Sequence, residues 1–186
     1  MRAYFTAVPT PNRELPPAAR IDVILGGYRD ALGPDHLGYR KHCQRLLRFM
    51  RLGGLDAAGG AFAGHFLPFH DLGVWTARTM DYLPPSIALA RAYAKTEGLP
   101  YAPARITAFI GEHHRVRATA DPLAERLRRA DLTDLSFGLV RFGLAYGAVR
   151  DVYAALPRLG FQWGVYGKVV RHAVGHASAP LPMLRW

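Results

Sequence analysis

In the stretch "FHDLG", His70 and Asp71 stand side by side between Phe69 and Leu72. Two adjacent polar groups are costly to bury in apolar surroundings unless something satisfies them. A metal ion is one such partner, and a hydrogen-bond network is another. Similar residues recur on inner faces of helical stretches: His42 in "YRKHCQRLL", His113 and His114 in "IGEHHRVR", Asp131 and Asp134 in "RRADLTDLS". Imidazole and carboxylate suit divalent Mn, Fe, Co, Ni and Zn, and carboxylates also suit Mg. Asp131 and Asp134 are three residues apart, so both lie toward one helix face and either can reach a metal. Each residue also has a plainer reading. His42 is equally an ordinary hydrogen-bonded helix residue, His113–His114 a polar helix end, and Asp134 a surface charge paired with Arg129 or Arg141. His36, His65, His172 and His176 carry no evident chemistry. On residue type alone the metal and hydrogen-bond readings stand level.

The elements that must carry these residues read as helices. Residues 1–19 form an extended, proline-punctuated arm, and residues 20–186 a single helical domain. "RIDVILGGYRDALG" runs until Gly33-Pro34 stops it, and the next helix takes Asp35 as N-cap and ends at Gly53-Gly54. "LDAAGGAFAGHFLPFHDLG" is Ala/Gly-rich and suits a tightly packed inner helix or helix pair, against the propensity of its glycines. A helix begins after Pro84-Pro85 with Ser86 among its first residues and ends at Gly98. "APARITAFIGEHHRVR" reads as one helix that includes the histidine pair, and "PLAERLRRADLTDLSFGLV" as another from Pro122. "RFGLAYGAVRDVYAALPRLG" and "WGVYGKVVRHAVGH" complete the set. No stretch alternates with the period of two expected of a strand. The predicted fold is all-α, a bundle of about seven or eight helices.

The chain has 186 residues and a formal charge of +10, and only three of its 24 basic residues are lysine, at positions 41, 95 and 168. That balance draws anionic partners, and a small anionic substrate is expected. No basic stripe with interleaved aromatics accompanies it, so nucleic acid is not expected as a partner. A single cysteine, Cys43, excludes an internal disulfide. No apolar run reaches transmembrane length, and the proline-rich N-terminus lacks the apolar core of a signal peptide. A cytoplasmic protein is the expectation. The C-terminal "FQWGVYGKVVRHAVGH" is basic and aromatic enough to touch a membrane or a partner; a packed C-terminal helix is its plainer reading.

The order and spacing of the donors resemble the HD-domain superfamily, all-helical metal-dependent phosphohydrolases and their relatives. A histidine on an early helix in "YRKHCQRLL" precedes the adjacent pair in "FHDLG", and "RRADLTDLS" follows on a later helix. The resemblance spans residues 20–145, and the tail "LPMLRW" also looks like the ends of some members. It implies an HD-type helical bundle with His42, His70, Asp71 and Asp131 as ligands, Asp134 as the alternative last ligand, and His113 as an extra one. Some nucleotidases of the superfamily carry a carboxylate three residues after the HD aspartate. Here that position is Val74, so a general acid or base must come from Asp71 itself, Asp81, Glu112 or Asp134. The dinuclear iron oxygenases of the superfamily add two separated histidines, whereas this chain offers the neighbours His113 and His114. On a helix, neighbours diverge by about 100°, which counts against both serving one centre. Arg40, Lys41, Arg78, His114 and Arg115 are candidates for binding phosphate, and Trp75 and Tyr82 for contacting the rest of a substrate. The activity implied is hydrolysis of a phosphate ester, a nucleotide or a small phosphorylated metabolite, through a metal-bound water. Hydration of a small nitrile-like compound on the same site is the second reading. A non-enzymatic scaffold with a basic binding surface is the third.

Overall fold

The structure, a computed structural model, describes residues 15–184, and no strand forms among them. Eight helices of nine or more residues make up the fold: α1 (Pro17–Gly26), α3 (His36–Leu52), α4 (Ala57–Phe66), α6 (Leu83–Thr96), α7 (Pro103–Gly111), α8 (Pro122–Leu135), α9 (Tyr146–Ala155) and α10 (Phe161–Gly175). Two single-turn helices, α2 (Arg29–Leu32) and α5 (Gly73–Thr76), and two 3-10 turns fill the connections. The all-α expectation holds. Residues 1–14, most of the predicted arm, lie outside the described residues. The last part of that arm is already helical, because Pro17 occupies the first turn of α1, where its fixed φ suits a helix start.

Helix α3 is the central element. Tyr39, His42, Cys43, Leu46, Phe49 and Met50 form its inner face and are buried. It packs chiefly on α8 and also touches α1, α4 and α9. The predicted cap at its start does not form. Asp35 is in a 3-10 turn that runs straight into the helix, with φ −77° and ψ −11°, and a capping side chain needs an extended backbone there. Its carboxylate instead accepts Trp75 Nε1–H and Lys168 Nζ–H, both at 2.8 Å.

The glycines of α4 have a packing reason. A Cβ on Gly64 would stand 2.8 Å from the Cα of Pro17, so only glycine lets α1 and α4 approach this closely. Gly73 is tighter still, since a Cβ there would meet Tyr82 O at 2.5 Å and Ser86 Oγ at 2.9 Å. Its N–H donates to Ser86 Oγ at 2.9 Å, tying the start of α5 to the first turn of α6. The plain reading of the C-terminal run is only partly met. Helix α10 is present, but just Phe161 and Gln162 of it are buried, and the rest lies along the surface.

Candidate metal centre

His42 is on α3, His70 and Asp71 follow the 3-10 turn Leu67–Phe69, His113 and His114 follow α7, and Asp131 and Asp134 are on α8. All seven side chains converge. His42 Nε2 lies 3.2 Å from His70 Nε2 and 3.4 Å from Asp131 Oδ1. Asp71 Oδ2 lies 3.2 Å from His70 Nε2, and its Oδ1 lies 3.2 Å from His113 Nε2 and 3.9 Å from His114 Nε2. Asp131 Oδ2 lies 3.6 Å from His114 Nδ1. Donors bonded to one first-row divalent ion at about 2.1 Å stand roughly 3 Å apart, which is the spacing seen here.

Local structure fixes which ring nitrogens face inward. His70 Nδ1–H donates to Leu67 O at 2.7 Å and His113 Nδ1–H donates to Ile110 O at 2.6 Å. In both cases the imidazole closes on the carbonyl three residues back, at the end of a helical turn. His42 Nδ1–H donates to Asp134 Oδ2 at 2.7 Å. With Nδ1 carrying a proton in all three, Nε2 is the nitrogen left to face a cation, once any second proton has been given up. The Nε2 atoms of His42 and His70 therefore face each other across 3.2 Å, a contact that a proton on His42 or a cation between the two rings satisfies. Asp131 Oδ1 is buried without a hydrogen-bond partner. Imidazole and carboxylate donors at this spacing, together with that orphaned oxygen, fit a divalent ion. Two groups meet the geometry, His42–His70–Asp71 and Asp71–His113–His114, and Asp71 is common to both.

The electrostatics follow from burial and the carboxylates. Burial opposes a charge on His42, but the Asp131 and Asp134 carboxylates beside it prevail and raise its pKa to about 9 in the metal-free protein. Burial would push Asp71 up, yet His70 and His113 hold its carboxyl well below the usual range. Asp131 is likewise lowered against burial by His42 and His114. His114 goes the other way: burial and the neighbouring His113 bring it down to about 4, so its ring is neutral near pH 7. Tyr82 OH lies 2.5 Å from His114 Nε2. The nearby Asp131 carboxylate favours the tautomer with the proton on Nδ1, so the phenol donates to Nε2. The Tyr82 phenol is raised well above its ordinary value, chiefly by burial.

A second layer holds these donors in place. Asp134 Oδ1 accepts from Arg45 Nε at 2.7 Å, and Oδ2 accepts from Arg45 Nη2 at 2.8 Å and Gln162 Nε2 at 3.2 Å. Arg45 Nη1 continues to the carbonyls of Leu156 and Pro157 at 3.4 and 3.1 Å. Tyr39 OH donates to Pro68 O at 3.1 Å and accepts the Asp71 N–H at 3.2 Å, pinning the His70–Asp71 segment to α3. Phe161 stacks on His42 with ring centroids 4.5 Å apart.

Several sequence-based expectations change here. Asp131 turns toward the Nε2 side, while every oxygen of Asp134 is engaged by Arg45, His42 Nδ1–H and Gln162, so Asp134 orients His42. Its partner is Arg45, not Arg129 or Arg141. The histidine pair is not helical: α7 ends at Gly111, and the two rings lie 4.0 Å apart, both directed at Asp71. The expected divergence of helical neighbours does not apply to a turn. Asp81 is exposed, unlike the buried donors. Glu112 is partly buried and accepts the hydroxyl of Thr119. Arg40 is 3.8 Å from Asp22, Lys41 and Arg115 are half-buried, and Arg78 is exposed. Among the described residues no ion pair joins Arg40, Lys41 or Arg78 to Asp71 or Asp131. Trp75 packs on Tyr39, with ring centroids 4.8 Å apart, and donates to Asp35. Tyr82 does reach the cluster. Arg45, Tyr39 and Gln162 were not singled out from the sequence. Arg45 carried a signal all the same, since it lies three residues beyond His42 on the face that also bears Leu46 and Phe49. No protein-family model, curated protein or solved structure matches the chain.

Proposed function

We propose that the chain is a metal-dependent hydrolase of the HD type, acting on a phosphate ester. The observation that carries this reading is the meeting of His42, His70, Asp71 and Asp131 from three separate segments, with one buried Asp131 oxygen left without a partner. Those four residues would hold the ion, and His113 is placed to add a fifth donor. A divalent ion bound there supplies Lewis acidity and lowers the pKa of a coordinated water. The side chains of Asp71 and His114 keep 11% and 15% of their surface exposed, against 0% for His42 and His70. Substrate therefore approaches past Asp71 and His114. At that edge the Tyr82 hydroxyl holds a proton against His114 Nε2, and His114 Nδ1–H faces Asp131. This chain of groups takes the place of the carboxylate missing at Val74 as a source of the proton for a leaving group.

A second reading rests on the same edge. Tyr82 and a neutral His114 form an uncharged rim, which suits hydration of a small uncharged substrate such as a nitrile. Elemental analysis of protein purified without chelator, paired with phosphomonoesters, cyclic nucleotides and nitriles, separates the two. The expected result is a bound divalent metal and turnover of a phosphate ester. Turnover of nitriles alone favours the second reading. His70→Ala and Asp71→Ala are each expected to lose the metal, while His172→Ala, half-buried near the end of α10 and outside the cluster, retains it. Equal retention in all three would overturn the site.

A further inference from the structure

Helix α10 is apolar on the side that faces away from the protein as well as on the side that faces it. Trp163, Gly164, Gly167, Val170, Arg171, Val174 and Gly175 are its exposed residues, spaced as one face of a helix with 3.6 residues per turn. Trp163 is 69% exposed, Val170 61% and Val174 82%. A Cβ on Gly164, Gly167 or Gly175 would meet nothing within 4 Å, so this face is open along its length. Phe137 extends the patch beside Trp163, with ring centroids 5.2 Å apart, and Leu139 just beyond is 81% exposed. A helix that is hydrophobic all round is normally buried, and large exposed apolar patches mark interaction surfaces.

The charges around the stripe narrow the choice of partner. No aspartate or glutamate follows Asp151 in the sequence. Arg171 flanks the stripe as an exposed cation, whereas the charge of Lys168 is already offset by Asp35. A second copy of this face would add a second Arg171, with no carboxylate among the exposed residues of α10 to offset it. A nucleic acid would meet its phosphates with arginine and lysine along the contacting stripe, where here there are valines and a tryptophan. An anionic bilayer surface satisfies both features. Acyl chains receive Trp163, Val170 and Val174, and headgroups receive Arg171. We infer that α10 lies flat on an anionic membrane surface and docks the protein there through Trp163, Val170 and Val174.

The test is co-sedimentation of the full chain with vesicles of phosphatidylcholine alone or mixed with phosphatidylserine. The wild type is expected to sediment with the mixed vesicles, to remain in solution with phosphatidylcholine alone, and to be released by salt. Val174→Asp and Val170→Asp are each expected to weaken partition by about tenfold or more. Both positions are exposed, so the folded state is retained, as checked by circular dichroism and metal content. Arg171→Glu is expected to remove the preference for anionic vesicles. No sedimentation of the wild type would overturn the inference, as would unchanged binding of Val174→Asp. A solution dimer or an oligonucleotide complex that Val174→Asp disrupts, without vesicle binding, assigns the face to a different partner and equally overturns it.

Discussion

Replacing Asp134 with asparagine keeps the volume of the side chain and removes its charge. The carboxylate is fully buried and takes both Nε and Nη2 of Arg45, itself 0% exposed. The substitution leaves a guanidinium in the core without a counterion. Breaking a buried pair from one side costs about 3–5 kcal/mol, which for a chain of this length lowers Tm by roughly 10 °C. Asp131→Asn is the informative partner. Asp131 has no arginine, and one of its oxygens lacks a hydrogen bond. In metal-free protein its loss weakens the attraction to His42 but also relieves repulsion from Asp71, so stability changes little. At the metal site proposed above the expected order is the reverse. Asp131→Asn removes a ligand outright, and Asp134→Asn only loosens His42, at a cost of roughly 10- to 100-fold in affinity. Thermal unfolding of chelator-treated protein, followed by metal titration of each variant, reads both effects. If Asp134→Asn melts with the wild type, or if Asp131→Asn is the less stable of the two, the division of roles between the two aspartates is wrong.

Three further outcomes follow from the geometry. Tyr82→Phe keeps the ring and removes the proton held at His114; turnover should fall roughly a hundredfold with metal content unchanged, and loss of metal would instead make Tyr82 a structural support. Gly73→Ala forces a methyl group against Tyr82 O and Ser86 Oγ, so denaturant titration should show a loss of about 1–3 kcal/mol, and wild-type stability would mean the α5–α6 junction yields easily. Glu125 is held at about 2 against an ordinary 4.5, by hydrogen bonds from Arg128 and then Arg129, with burial opposing. Its folded value is depressed, so this stabilisation is present above pH 4.5 and is lost as the pH falls toward 2. Glu125→Gln should flatten the Tm–pH curve over that window, and parallel curves would refute the assignment.

What could be read from the sequence depended on how local its cause was. Pro84-Pro85, Pro122 and Gly53-Gly54 act on their own turns, and the helices they bound form where expected. The four ordered donors were also visible from their order and spacing, although only His70 and Asp71 lie in an apolar run. The histidine pair was misread because helical geometry was extended past Gly111, where the chain in fact turns. Arg45 and Gln162 reach Asp134 from 89 and 28 positions away, and no local pattern encodes such a meeting. The aspartates three apart looked equivalent for the same reason. Only the packing of α3 and α10 against α8 tells which one faces the histidines.

Arg45 also bears on the architecture of the whole chain. Its guanidinium joins α3, α8 and the Leu156–Pro157 bend that leads into α10, so one cation is shared by segments far apart in the sequence. A chain cut after Ala155 would leave that cation short of two carbonyls and Asp134 short of the Gln162 amide. The last thirty or so residues are therefore a clasp rather than an appendage. Peeling α10 away, whether by truncation, proteolysis or force, would take Phe161 off His42 and Gln162 off Asp134, and so slacken the histidine at the middle of the fold.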